Sequence, residues 1–234
     1  MRLLAVTLSF LALVATSLAK SAPNWVIPGG NYTRYSQCDK RWGENIIATK
    51  TICKVGCFIS SVASGIADSG ITLLVSDGEK YADPGSLTQW LQEHQGLVED
   101  DFVSTSMDWL CDNSKSNPCV SQFLESHRAA DIPLEQVQAL LEARRTVLAN
   151  VNNGRHFVRA VGWDANNASS ILVADSGFDV DFYDFSAVVG WRIYNFEGPH
   201  SRGDRKAGSG VRRAGARGGR RVTLPTALMP VEVN

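Results

Sequence analysis

The chain has 234 residues with 23 basic and 24 acidic side chains, a formal net charge of −1, so bulk charge names neither nucleic acid nor a membrane surface as its partner. Hydrophobic residues make up 44%, enough to bury a core, and the five cysteines are an odd number, so they cannot all pair within one molecule.

Residues 1–19, "MRLLAVTLSFLALVATSLA", place Arg2 before an apolar run from Leu3 to Val14, with small residues at Ser17 and Ala19. This is the layout of a secretory signal cut after Ala19, and the run is too short to span a bilayer. The expected product is therefore a secreted, extracellular protein with no membrane span, in a compartment where thiols pair. Two glycosylation acceptor triplets, Asn31-Tyr32-Thr33 and Asn167-Ala168-Ser169, agree with export.

Residues 20–197 suit one domain. Phe58, Val62 and Ile66, with Ile59 and Ala63 beside them, form an apolar stripe at helical spacing that ends near Ser69-Gly70. In "DPGSLTQWLQEHQG", Ser86 reads as a helix cap with Gln89 at the capping-box position, Leu87, Trp90 and Leu91 as the buried face, and Gly96 as the stop. A third helix is expected from Pro133 to about Arg144, with Leu134, Val137, Leu140 and Leu141 inward. His94 falls at a polar helix end and His127 in a helix-like polar stretch.

Strands follow. "TVLANV", the turn "NNG", "RHFVRAVGW", the loop "DANNAS" and "SILVAD" run on into "VDFYDF" and "AVVGWRIYNF". Short polar connections imply an antiparallel meander, and helices before strands imply an α+β domain with the halves packed face to face. From Gly198 the composition changes. Eight basic against two acidic side chains give residues 198–234 a charge of +6 and leave −7 for the rest. This Gly/Arg-rich segment reads as a disordered, solvated tail, whose one functional reading is weak contact with a polyanion.

Cys111 and Cys119 bracket a polar loop that a disulfide would staple. Cys38 with Cys53 would close a second loop and leave Cys57 alone, while Cys38 with Cys57 or Cys53 with Cys57 remain open. The spacings lack the close doublets of a zinc site. Cys57 is the candidate for chemistry, because it follows Gly56 at the head of a helix, where unpaired N–H groups favour thiolate. A cysteine nucleophile needs a base and the base needs an orienting group. His156 opens the strand after "NNG", Asp175 ends the next strand, and antiparallel pairing can bring the two together. Gln37, in "RYSQCDKRWGE", supplies an amide able to donate to a developing oxyanion.

Taken together, "YSQCDKRWG", "DPGSLTQWL", "VGCFISSV", "GRHFVRAVGWD" and "ILVADSG" resemble the papain-clan cysteine peptidases of the bacteriocin-processing type, in their secreted branch. The likeness covers about Tyr35 to Phe185. It implies a papain-like fold of N-terminal helices packed on an antiparallel sheet, with Gln37 in the oxyanion hole, Cys57 as nucleophile, His156 as general acid and base, and Asp175 fixing the imidazole. Asp164, in "GWD", takes the place of that motif's turn residue. Where the family reads Gly-Pro-Thr after the nucleophile, this chain has Phe58-Ile59-Ser60. The implied activity is cofactor-free hydrolysis of a peptide or protein substrate by a monomer. The same scaffold also serves a binding protein without turnover, and the same thioester an acyl transferase.

Overall fold

A computed structural model describes residues 22–115 and 119–199. The expected export signal (1–19) and all but the first two residues of the expected basic tail (198–234) lie outside the described residues, as does any polyanion contact through that tail. In chain order come strand β1 (Trp25–Val26), helices α1 (Ile52–Val55) and α2 (Cys57–Ser69), strands β2 (Thr72–Val75) and β3 (Gly78–Tyr81), and helix α3 (Pro84–Glu93). The short strands β4 (Leu97–Val98) and β5 (Asp101–Phe102) lead to β6 (Val120–Arg128) and helix α4 (Leu134–Glu142). Strands β7 (Thr146–Val151), β8 (His156–Asp164), β9 (Asn167–Ala174), β10 (Phe182–Asp184) and β11 (Gly190–Glu197) complete the chain. Helices and an antiparallel sheet make it an α+β protein.

Helix α2 forms where the apolar stripe is, and Gly70 ends it in the left-handed conformation at φ 75°. Helix α3 starts one turn earlier than its expected cap. Asp83 is the N-cap: its carboxylate accepts from the Ser86 N–H at 2.8 Å, and the Ser86 hydroxyl accepts from the Asp83 N–H at 2.9 Å. Ser86 therefore closes the box from the third helical position, with Pro84 supplying a preset φ at the start.

The main sheet runs β10-β9-β8-β7-β11-β6, with β1 added on β8. The meander from β7 to β10 is as the loops imply, but β11 crosses back to the other side of β7 and takes β6 as its outer neighbour. Residues 120–128, including His127, are thus an edge strand and not helical: His127 pairs in register with Trp191. Both faces of the sheet are covered. Leu148 and Tyr194 pack with Val62, Ile66 and Trp90 of α2 and α3, while Val147, Ala149 and Ile193 pack with Val137 and Leu141 of α4. Burial of each such aliphatic side chain stabilises the fold by about 1.5–3 kcal/mol. That explains the unbroken apolar run in "TVLANV", which a one-sided sheet would have alternated.

Cys38 bonds to Cys53 and Cys111 to Cys119, leaving Cys57 as the free thiol. Among the described residues no helix is long and apolar enough to cross a membrane.

Candidate active site

Two local features bring the start of α2 to the start of β8. Gly56 sits between α1 and α2, where an added Cβ would lie 2.5 Å from the Ile52 carbonyl oxygen, so only glycine lets the chain turn directly into the long helix. Cys57 is then its first residue, at the end where backbone N–H groups lack helical partners. On the sheet, Val151 pairs with His156 across a turn in which Asn152, Asn153 and Gly154 all have positive φ. Asparagine and glycine tolerate that conformation best, which is why "NNG" can close so tight a hairpin.

The three expected residues meet. His156 Nε2 lies 2.7 Å from Asp175 Oδ1, and the ring also hydrogen-bonds Cys57, for which Nδ1 is the remaining nitrogen. His156 is 6% exposed and Asp175 2%, so neither can turn to solvent for a substitute partner. Burial resists ionisation of the Cys57 thiol. The hydrogen bond with His156, a backbone N–H from Phe157, the histidine's charge and the Phe58 N–H outweigh it and hold the thiol below its ordinary value. Burial likewise disfavours the imidazolium, yet hydrogen bonds to Asp175 and Cys57 raise His156 to about 9. Each group favours the charged form of the other, so the pair tends to thiolate and imidazolium.

Asp175 is saturated with donors. Its Oδ1 accepts the N–H groups of Gly177 (2.8 Å) and Phe178 (3.0 Å) beside His156, and its Oδ2 accepts the Tyr183 hydroxyl at 2.9 Å. Burial pushes this carboxyl up, but the His156 and backbone hydrogen bonds win and keep it below its usual range. Burial first, then the bond to Asp175, raise Tyr183 far above an ordinary phenol, so it remains a donor.

Gln37 lies at the same place. An added Cβ on Gly177 would meet His156 Cε1 at 2.9 Å and Gln37 Oε1 at 3.2 Å, so that glycine is wedged between the two side chains. The Gln37 backbone N–H donates to the Ser176 carbonyl (2.9 Å), and its side-chain Nε2 donates to the Cys53 carbonyl (2.7 Å). The Cys38–Cys53 disulfide begins at the next residue and ties this loop to α1. One of the two amide hydrogens is thus engaged, and the other has no partner among the described residues.

Three supporting residues carried no signal in the sequence. Arg34 donates through Nε to the Asp175 carbonyl (2.8 Å) and through Nη2 to the Phe178 carbonyl (2.7 Å), with Asp181 3.2 Å from Nη1. It clasps the loop after β9 from outside. Phe178 stands edge-on to His156 at 5.0 Å and shields it from water, and Tyr183 braces Asp175. Asp164 is at the opposite end of β8, where its carboxylate accepts from the Asn24 and Asn166 N–H groups in a turn role. His94 stacks on Trp90, His127 pairs with Glu125, and His200 lies outside the described residues. A cavity of about 660 Å³ lies at the far end of α2, lined by Asp68, Arg144, Arg145 and Arg159, and none of the four candidate residues lines it.

No protein-family model, curated protein or solved structure matches the chain. A sulfur primed as thiolate, a proton held at the neighbouring nitrogen and a free amide donor are the parts that acyl transfer from an amide requires.

Proposed function

We propose that this chain is a secreted cysteine peptidase of papain-like fold, hydrolysing peptide bonds through Cys57, His156 and Asp175 with Gln37 at the oxyanion. One observation carries the reading. The unpaired sulfur, at a helix start, is hydrogen-bonded to an imidazole whose other nitrogen is held by a buried, fully satisfied carboxylate. The two disulfides support an oxidising, extracellular setting, and the motif resemblance supports the family.

The Cys57 thiolate attacks the scissile carbonyl carbon, forming the S–C bond as the carbonyl electrons move to oxygen. The second N–H of Gln37 and the backbone N–H of Cys57 donate to that oxyanion. His156 delivers its Nδ1 proton to the amine as the C–N bond breaks, leaving a thioester. Neutral His156 then takes a proton from water. The hydroxide adds to the thioester, the C–S bond breaks, and thiolate and imidazolium are restored. Asp175 keeps its negative charge throughout and holds the ring with Nδ1 toward the sulfur.

The decisive variant is Cys57→Ala, assayed on casein and on a fluorogenic peptide mixture. Hydrolysis should disappear while circular dichroism and melting temperature stay near wild type. Retained hydrolysis overturns the mechanism.

A further inference from the structure

The face of the sheet beside Cys57 carries a charge without a partner. Phe157 follows His156 and, by strand alternation, turns toward α2, where it meets Phe58 edge-on at 4.7 Å; Phe58 in turn lies 4.9 Å from Phe102. All three rings are half-buried, and Phe58 and Phe157 directly follow Cys57 and His156 in the chain. Across the strands Phe157 is in register with Asn150, and Asn150 with Gly190, so β11 contributes no side chain to that row. Two residues along β11, on the same face, Arg192 reaches back until its guanidinium carbon is 5.9 Å from the Phe157 ring centroid.

Of the three half-buried arginines among the described residues, Arg145 faces Glu197 at 3.5 Å and Arg159 faces Asp68 at 2.6 Å. Arg192 has no carboxylate within ion-pair distance among the described residues, and its hydrogen bond goes to the neighbouring Trp191 carbonyl at 2.9 Å. A guanidinium has five donors in a planar fork, and withdrawing it from water without a counter-ion is costly. The ring of Phe157 offsets part of that cost by cation–π attraction. A carboxylate gripped by the remaining donors would offset the rest.

Resting on the peptidase reading above, we infer that this face takes a substrate with an acidic side chain near the scissile bond, its carboxylate bound by Arg192 and its stem packed on Phe58, Phe102 and Phe157. Charge, and not size, then sets the preference at that position.

The test is a peptide scan in which Glu, Gln and Lys occupy, one at a time, the two positions on each side of the scissile bond. At one position wild type should cleave the Glu peptide roughly ten- to a hundred-fold faster in kcat/KM than its Gln twin, the range for a charge-assisted hydrogen bond. Arg192→Met should level the two, and Arg192→Glu should turn the preference to Lys. The same peptides titrated into Cys57→Ala by calorimetry should rank in the same order. Alkylation of Cys57 by iodoacetamide at wild-type rate checks that the Arg192 variants keep the site. Equal handling of Glu and Gln at every position, or a Glu preference unchanged in Arg192→Met, overturns the inference and leaves the peptidase reading standing. Acidic-peptide binding by a wild-type chain that hydrolyses nothing does the reverse.

Discussion

Helix α2 is joined to strand β8 near each of its own ends by a pair of ionisable side chains, and only one end is equipped for chemistry. At the far end Arg159 Nη2 lies 2.6 Å from Asp68 Oδ2, with Nη1 donating to Ser64 at 3.4 Å. At the near end Cys57 meets His156. Burial separates the two only in degree, with Arg159 and Asp68 at 12% and 24% side-chain exposure against 7% for His156. What differs is the proton. A guanidinium keeps its proton at any pH the fold survives, so the Arg159–Asp68 pair can only hold the elements together. The Cys57–His156 proton can sit on either partner, and Asp175, buried and held by four donors, decides where it rests.

Asp175→Asn breaks that arrangement with the largest effect. Turnover should fall about 10⁴-fold, the loss typical when the orienting carboxylate of a triad is neutralised. The pH profile supplies the sign. Wild-type activity needs imidazolium, which is lost as pH rises through about 9. Without the hydrogen bond and charge of Asp175 the imidazole falls back toward its ordinary 6.5, so the alkaline limb moves to lower pH. Cys57, deprived of a charged neighbour, moves up, and the working window narrows from both sides. Rates of Cys57 alkylation against pH would show it. An alkaline limb that stays in place means that Asp175 does not control the proton.

Gln37→Ala comes next, with a loss in kcat of about 10²- to 10³-fold if its free amide hydrogen serves the oxyanion. Peptide affinity, measured on a Cys57→Ala background, should not change, because the interaction forms only as charge develops. A matching loss of affinity would make Gln37 a ground-state contact.

The near end was more legible than the far end for a physical reason. Cys57, His156 and Asp175 each sit where a local signal changes: a helix start after glycine, a strand start after "NNG", a strand end before Ser176-Gly177. Such boundaries are written in neighbouring residues. Strand β6 was not legible, because as an edge strand it shows Leu124 to solvent while burying Ser121, and its partner β11 arrives from sixty residues away. The clasp by Arg34 and the brace by Tyr183 are non-local hydrogen bonds of the same kind, as is the pairing of Arg159 with Asp68. The Asp83 cap is masked in the sequence by Ser86, which fits the same motif one turn later.

The disulfide beside Gln37 tests the near end as a scaffold. Replacing Cys38 and Cys53 by Ser should cost about 3 kcal/mol, the chain-entropy value for a loop of some fifteen residues, read as a lower denaturant midpoint. Because Gln37 Nε2 is held by the Cys53 carbonyl, turnover should fall in the same variant even where it is fully folded. Wild-type turnover would show that the bond serves stability alone.

The smallest effect belongs to the far end. Arg159→Met keeps the apolar stem and removes the charge, leaving Asp68 with the Thr33 N–H (2.9 Å) and the water available to a carboxylate that is a quarter exposed. The loss should be about 1–3 kcal/mol, below that of a fully buried pair, because solvent reaches Asp68. Below the melting transition kcat/KM and the alkaline limb should match wild type, since no proton on Arg159 takes part. If kcat/KM instead falls as it does in Asp175→Asn while the protein is still folded, α2 transmits strain along its length. The division between a holding end and a reacting end would then fail.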